Sequence, residues 1–297
     1  MKSHKYIFIA AMMMFTTSVQ AQLEIFTCEP EWAALATELG GNHVNVFSAT
    51  TGKQDPHHIE ARPSLIAKIR RADLIVCTGA ELETGWLPVL LSKSGNEKIQ
   101  LGKSGHFMAA DYVELLEKPV VLDRSQGDMH ARGNPHIHTN PHNIAKVAKA
   151  LNQRMNELNA TNRASYNTAY ENFIQRWNTA IMRWEKQAAP IRQQSIAVSH
   201  NSWVYLASWL DVDMSVALEP KPGIPPASEH LAKLVTTVNQ KNIRKIVYAS
   251  YTNPRAAHWL AEKTGATVIE LPFTVGGNAK ANNLFELFDE TIRALVN

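Results

Sequence analysis

Two periods of hydrophobic and polar positions alternate along the chain. Short apolar or period-two runs predict strands at Leu23–Cys28, Val44–Ser48, Asp73–Thr78 and Pro119–Leu122. Helical spacing fills the gaps, with helices expected over 30–39, 63–71 and 82–93. Pro30 and Pro63 stand in first turns and Gly40 just past an end, the asymmetry that helix termini favour. The second half repeats the scheme. Strands are predicted at Gln194–Ser199, Asp213–Leu218, Lys245–Ala249 and Thr267–Leu271, and helices at 201–210, 229–240, 253–264 and 284–295. Strand-helix alternation of this kind implies mostly parallel sheets covered by helices, so the chain reads as α/β with two similar lobes.

Between the halves, residues 143–187 contain neither Pro nor Gly. Apolar residues recur there at helical spacing, from Ile144, Val147 and Leu151 to Phe173, Trp177, Ile181 and Trp184. A break is conceivable at 159–162. If continuous, the segment would be a rod of roughly 65 Å, long enough to run along both lobes. Aromatic residues at these positions suit packing against globular lobes better than a coiled-coil seam. The expected layout is therefore an N-terminal lobe over 22–142, a connecting helix over 143–188 and a C-terminal lobe over 189–297.

The first residues carry a different signal. Lys2 and Lys5 precede an apolar run from Tyr6 to Phe15, and Val19-Gln20-Ala21 follows. A basic start, a short apolar stretch and a small-residue site together read as a cleaved secretory signal, residues 1–21. The run is too short for a permanent membrane span, and no later segment is long enough. A soluble, periplasmic chain is expected, and no lipobox cysteine follows the signal to tether it. The net charge of +3 falls to +1 once Lys2 and Lys5 are gone. With no basic stripe, nucleic acid is an unsuitable partner. The two cysteines, Cys28 and Cys77, lie in predicted strands of the first half. An oxidising compartment permits a bridge between them, but two buried thiols fit the sequence equally well.

Twelve histidines are present, and they cluster. His57 and His58 follow the second predicted strand, His136 and His138 follow the fourth, and His200 ends the first strand of the second half. His130 and His142 flank the middle group. In open parallel sheets, ligands bind beyond the carboxyl ends of strands. Neutral imidazole suits zinc, copper, iron and nickel, and three or four such donors make a zinc site. For His4, His43, His106, His230 and His258 an ordinary surface or hydrogen-bonded role is expected.

The motifs then become specific. Pro56-His57-His58-Ile59-Glu60-Ala61-Arg62-Pro63-Ser64, Asn134-Pro135-His136 and Ser199-His200-Asn201-Ser202-Trp203 occur in that order. In this the chain resembles the zinc- and manganese-specific substrate-binding proteins of ABC importers. The resemblance covers the whole mature chain. It implies two α/β lobes joined by one long backbone helix, with a metal site between them. It also implies His57, His136 and His200 as ligands, Zn²⁺ (or Mn²⁺) as the ion, and an ABC permease with its ATPase as partners of a monomeric receptor. Family members usually supply a further Asp in a Leu-Asp-Pro context. Here the stretch is Glu270-Leu271-Pro272, without it. Glu219, after a strand end, matches the position of a Glu ligand in manganese-binding relatives and is the candidate fourth ligand, with His138 or water as alternatives. His130, His138 and His142 are candidates for a weak secondary metal site. A metal chaperone or an adhesin on the same scaffold is the alternative function. A zinc hydrolase is disfavoured because no His-Glu-x-x-His helix and no evident catalytic base are present.

Overall fold

The computed structural model describes residues 22–119, 127 and 130–297. The signal segment and residues 120–122 of the expected fourth strand lie outside these. Four parallel strands form the N-terminal sheet: β1 (Leu23–Thr27), β2 (Val44–Ser48), β3 (Leu74–Cys77) and β4 (His106–Met108), in the order β2-β1-β3-β4. Helices α1 (Pro30–Gly40), α2 (Pro63–Ile69) and α3 (Leu87–Ser94) connect and cover them. The C-terminal sheet repeats this order with β5 (Ser195–Val198), β6 (Asp213–Ala217), β7 (Lys245–Ala249) and β8 (Thr267–Leu271), arranged β6-β5-β7-β8. Its helices are α6 (Val204–Leu210), α7 (Ser228–Gln240), α8 (Arg255–Thr264) and α9 (Leu284–Val296). β3 is buried at every position, as expected of a central parallel strand covered on both faces.

β4 escaped the sequence reading. It is three residues long, His-Phe-Met, and pairs in parallel with β3 from Ile75↔His106 to Cys77↔Met108. A run so short carries no period. Among the described residues, the strand that precedes the His136 group is β4, with 27 residues between them.

The Pro- and Gly-free stretch forms two helices, α4 (Pro141–Leu158) and α5 (Arg163–Gln187). Asn159, at φ −138° and ψ 72°, leaves the helical region, and one 3₁₀ turn over 160–162 reverses the chain. There is thus no continuous 65 Å rod. α4 folds back along α5, where the Trp177 indole donates to the Pro141 carbonyl at 2.9 Å and the Asn152 amide to Asn167 at 3.0 Å. α5 is the long backbone helix, about 37 Å for its 25 residues. It touches α1 of one lobe and α9 of the other. Trp177 and Trp184 meet Phe288 at ring distances of 5.4 and 5.0 Å, so one apolar core runs through both lobes. Among the described residues no helix is long and apolar enough to cross a membrane.

The cysteine question resolves as a bridge. Cys28, just past β1, and Cys77, at the end of β3, are disulfide-bonded with Cα atoms 4.7 Å apart, and both are fully buried. The bridge spans 49 positions, a closure worth about 4 kcal/mol in chain entropy. Replacing both cysteines with alanine should lower the thermal midpoint of the metal-free protein by roughly 10 °C. Calorimetry showing an unchanged midpoint would contradict a stabilising role.

Candidate metal centre

His57, His136 and His200 come from three distant parts of the chain. The loop leaving β2 carries His57, the turn before α4 carries His136, and His200 stands two residues beyond β5. Each offers a ring nitrogen, and the three nitrogens lie within 4.8 Å of one another. Ring centroids are separated by 5.3 Å (His57 to His136), 5.8 Å (His57 to His200) and 5.6 Å (His136 to His200). Nitrogens around a tetrahedral zinc stand about 3.3 Å apart, given bonds of ~2.0–2.1 Å, so only a small contraction separates this arrangement from a coordination shell.

The surroundings orient the rings. The Nδ1 of His57 lies 2.8 Å from Asp55 Oδ1, leaving its Nε2 buried with no hydrogen-bond partner. The Nδ1 of His200 lies 2.7 Å from Glu219 Oε2, which also accepts the Gly223 N–H at 2.9 Å. Carboxylates behind imidazoles fix the tautomer and raise basicity at the opposite nitrogen. His136 is 1% exposed, its N–H is tied to Asn134 Oδ1 at 3.1 Å, and its Nδ1 has no hydrogen-bond partner. Burial, then the neighbouring imidazoles of His57 and His200, hold its pKa well below the usual histidine range. It is therefore neutral, the form that ligates.

Glu219, the expected fourth ligand, stands behind His200 rather than in the group of three. The histidines expected to form a secondary site are not brought together. His142 is exposed on α4 and pairs with Glu185 at 3.1 Å. His138 is buried, with Nε2 3.0 Å from the Phe273 carbonyl and Nδ1 3.2 Å from Glu31 Oε1. His130 lies at the centre itself, its ring 5.4 Å from His57, and lines the same cleft as His136 and His200. That cleft measures about 80 Å³, well below the ~300–1,000 Å³ of organic-ligand pockets. Glu270 lies elsewhere, bonded to Lys53 and Tyr248.

Sequence reasoning missed three contributors. Asp55 immediately precedes the first motif, and a carboxylate two residues before a ligand-type histidine was the available signal. Tyr251 is raised above its usual range, chiefly by burial and then by the charge of Asp55, and no local pattern announced it. Phe273 packs edge-on to His136 at 5.3 Å, although its segment read only as a site lacking its Asp. A second cluster, Cys28, Cys77 and Glu83, has metal-like spacing, but its sulfurs are bonded to each other. Burial pushes Glu83 up to about 7, and burial with repulsion from Glu83 raises Glu29, so this carboxyl pair retains a proton near neutrality.

The profile of the family described as ZnuA, "Zinc-uptake complex component A periplasmic", matches residues 25–297. The chain belongs to that family. Membership places it among binding components rather than enzymes. It is 21% identical over 265 residues to the manganese ABC transporter substrate-binding lipoprotein scaA of Streptococcus gordonii, covering 87% of this chain and 82% of that one. It is 20% identical over 263 residues to the zinc-binding lipoprotein AdcA of Streptococcus pneumoniae, covering 87% of this chain and 52% of that longer protein. The crystal structure of ZnuA superposes with a TM-score of 0.76 at 22% identity, over 92% of this chain and 99% of that one. The two-lobed fold with its long helix is therefore the family's fold.

Proposed function

We propose that this chain captures one divalent transition-metal ion, zinc in preference to manganese, on His57, His136 and His200, and delivers it to an ABC-type permease and its ATPase. The observation that carries the reading is the meeting of three ring nitrogens within 4.8 Å, from segments separated by more than sixty residues each. Three nitrogen donors favour zinc, because manganese prefers oxygen-rich shells. Asp55 and Glu219 orient two of the ligands, and His130 or a water molecule takes the fourth position. The cleft holds an ion and little else, which suits cargo binding rather than turnover of an organic substrate. Relatives named as a manganese ABC transporter substrate-binding lipoprotein and a zinc-binding lipoprotein support the transport role. Export through residues 1–21, action as a monomer, and lobes bounded at 142 and 189 complete the proposal.

The test is metal analysis of protein purified without chelators, followed by zinc and manganese titration at pH 7.5 and 5.5. One ion per chain, tighter zinc than manganese, and marked loss in each single alanine variant of the three histidines are expected. Affinity should drop at pH 5.5, since a ligating imidazole must shed its proton and free histidine titrates near pH 6.5. Burial holds the His136 imidazole neutral below that value. For metal-free stability the sign is the same. The unfolded chain takes up the His136 proton near the ordinary value while the folded chain does not, so stability present above about pH 6.5 is lost as the pH falls toward the depressed folded value. Zinc binding that survives all three substitutions would remove the basis of the proposal.

A further inference from the structure

The lobes meet at a buried polar contact that neither the three ligands nor their carboxylate partners explain. Glu31, in the first turn of α1, is 1% exposed, and His138 is 2% exposed. Glu31 Oε2 accepts the hydroxyl of Thr274, which belongs to the loop that follows β8 in the other lobe. His138 Nε2 donates to the carbonyl of Phe273 in the same loop, at 3.0 Å. A carbonyl only accepts, so this nitrogen carries a proton. The other ring nitrogen then faces Glu31 Oε1 at 3.2 Å, an ion-pair distance without hydrogen-bond alignment. Two residues on the N-terminal side thus grip consecutive residues of one C-terminal loop.

That loop reaches the metal centre through the Phe273 ring. The ring packs edge-on against His136 at 5.3 Å and His138 at 4.8 Å, and against Tyr251 at 5.2 Å and Trp203 at 5.6 Å. His136 is therefore wedged between a gripped loop and the turn that carries it. A buried carboxylate is costly to desolvate, and apolar residues of similar volume commonly stabilise as well or better, so such a pair is weak evidence for stability alone. Its directional bonds across the seam point to a positional role instead.

We propose that Glu31 and His138 form a latch that holds the lobes together in the metal-free protein, with Glu31 a positioning residue for His136. The latch rests on the reading of His136 as a ligand only for its effect on metal release. Its effect on lobe spacing stands independently.

The experiment uses the full exported chain with nitroxides on cysteines introduced at exposed Ala67 and Ala232, one per lobe. The native cysteines are bonded to each other and do not compete for label. Pulsed electron spin resonance on chelator-stripped protein measures the interlobe distance, and zinc release into excess chelator is followed separately. Glu31→Gln keeps the shape and removes the charge. Thr274→Val removes a single hydroxyl and covers the case in which Glu31→Gln does not fold. In both variants the metal-free distance should lengthen or broaden relative to the parent, and zinc release should quicken ten-fold or more. Metal-free distances that superimpose on the parent's overturn the latch. Lengthened distances with unchanged release overturn the positioning role. A parent that binds no zinc defeats the functional proposal, yet leaves the distance measurement to decide the latch.

Discussion

Replacing His136 with alanine should weaken zinc binding by on the order of a thousand-fold, while the metal-free protein keeps roughly its parental stability. The binding estimate follows from sharing the ~10–16 kcal/mol of a structural zinc site over four positions, which leaves about 2.5–4 kcal/mol per ligand and reaches a thousand-fold at its upper end. Neither His138 nor Glu219 replaces the missing donor, because His138 is occupied by Phe273 and Glu31 and Glu219 is occupied by His200. The stability estimate balances two effects. Alanine leaves a cavity where a 1% exposed ring stood, which destabilises. It also removes a buried nitrogen that has no hydrogen-bond partner, which relieves an unmet desolvation cost. Chelator competition gives the affinity, and calorimetry of stripped protein gives the midpoint. His142→Ala is the control: it is exposed and pairs with Glu185, so zinc affinity should be unchanged. An affinity within ten-fold of the parent for His136→Ala would mean that this ring is not a ligand.

Gly52→Val should weaken zinc binding by on the order of a hundred-fold, the loss typical when groups that orient metal ligands are displaced. Gly52 lies in the loop that leads from β2 to His57, and it rests on the loop after β8 with no space between. A Cβ there would stand 2.3 Å from the Gly276 carbonyl carbon and the Gly277 nitrogen, and 2.7 Å from the Gly276 oxygen. These are backbone atoms, which cannot swing aside as a side-chain tip can. The φ of Gly52 lies outside the left-handed region, so the requirement is space rather than backbone freedom. A side chain must therefore either part the loops or push the His57 segment off its place. The neighbouring Lys53–Glu270 pair, at 3.3 Å and largely exposed, is too weak to hold the loops against this. Zinc titration of the variant with its metal-free midpoint is the check. Parental affinity would show that the loop contact is not needed to place His57.

Much of the fold was legible because periodicity is a local property. Alternating strand and helix patterns carried both lobes, and the asparagines at 159 and 162 marked the reversal between α4 and α5, although they did not decide it. β4 was illegible because three residues hold no period; only pairing with β3 makes His106–Met108 a strand. The three ligand-type histidines could be named because each sits in a motif whose neighbours constrain it.

The other assignments depended on distances that no linear pattern encodes. Glu219 is chemically the same carboxylate whether it ligates an ion or orients His200, and its 2.7 Å approach to Nδ1 is such a distance. Cys28 and Cys77 are equally good thiols or a bridge until β1 and β3 are laid side by side. Glu31 reads as an ordinary acid in a helix's first turn, yet its partner Thr274 lies 243 positions away. By itself the sequence determined two α/β lobes and a helical stretch between them, since those follow from spacing over short stretches. His57, His136 and His200 it offered as candidate donors through the resemblance of their motifs. Tertiary structure alone decided which groups face the donors and how the lobes are held, because burial and hydrogen-bond geometry exist only once distant loops have met.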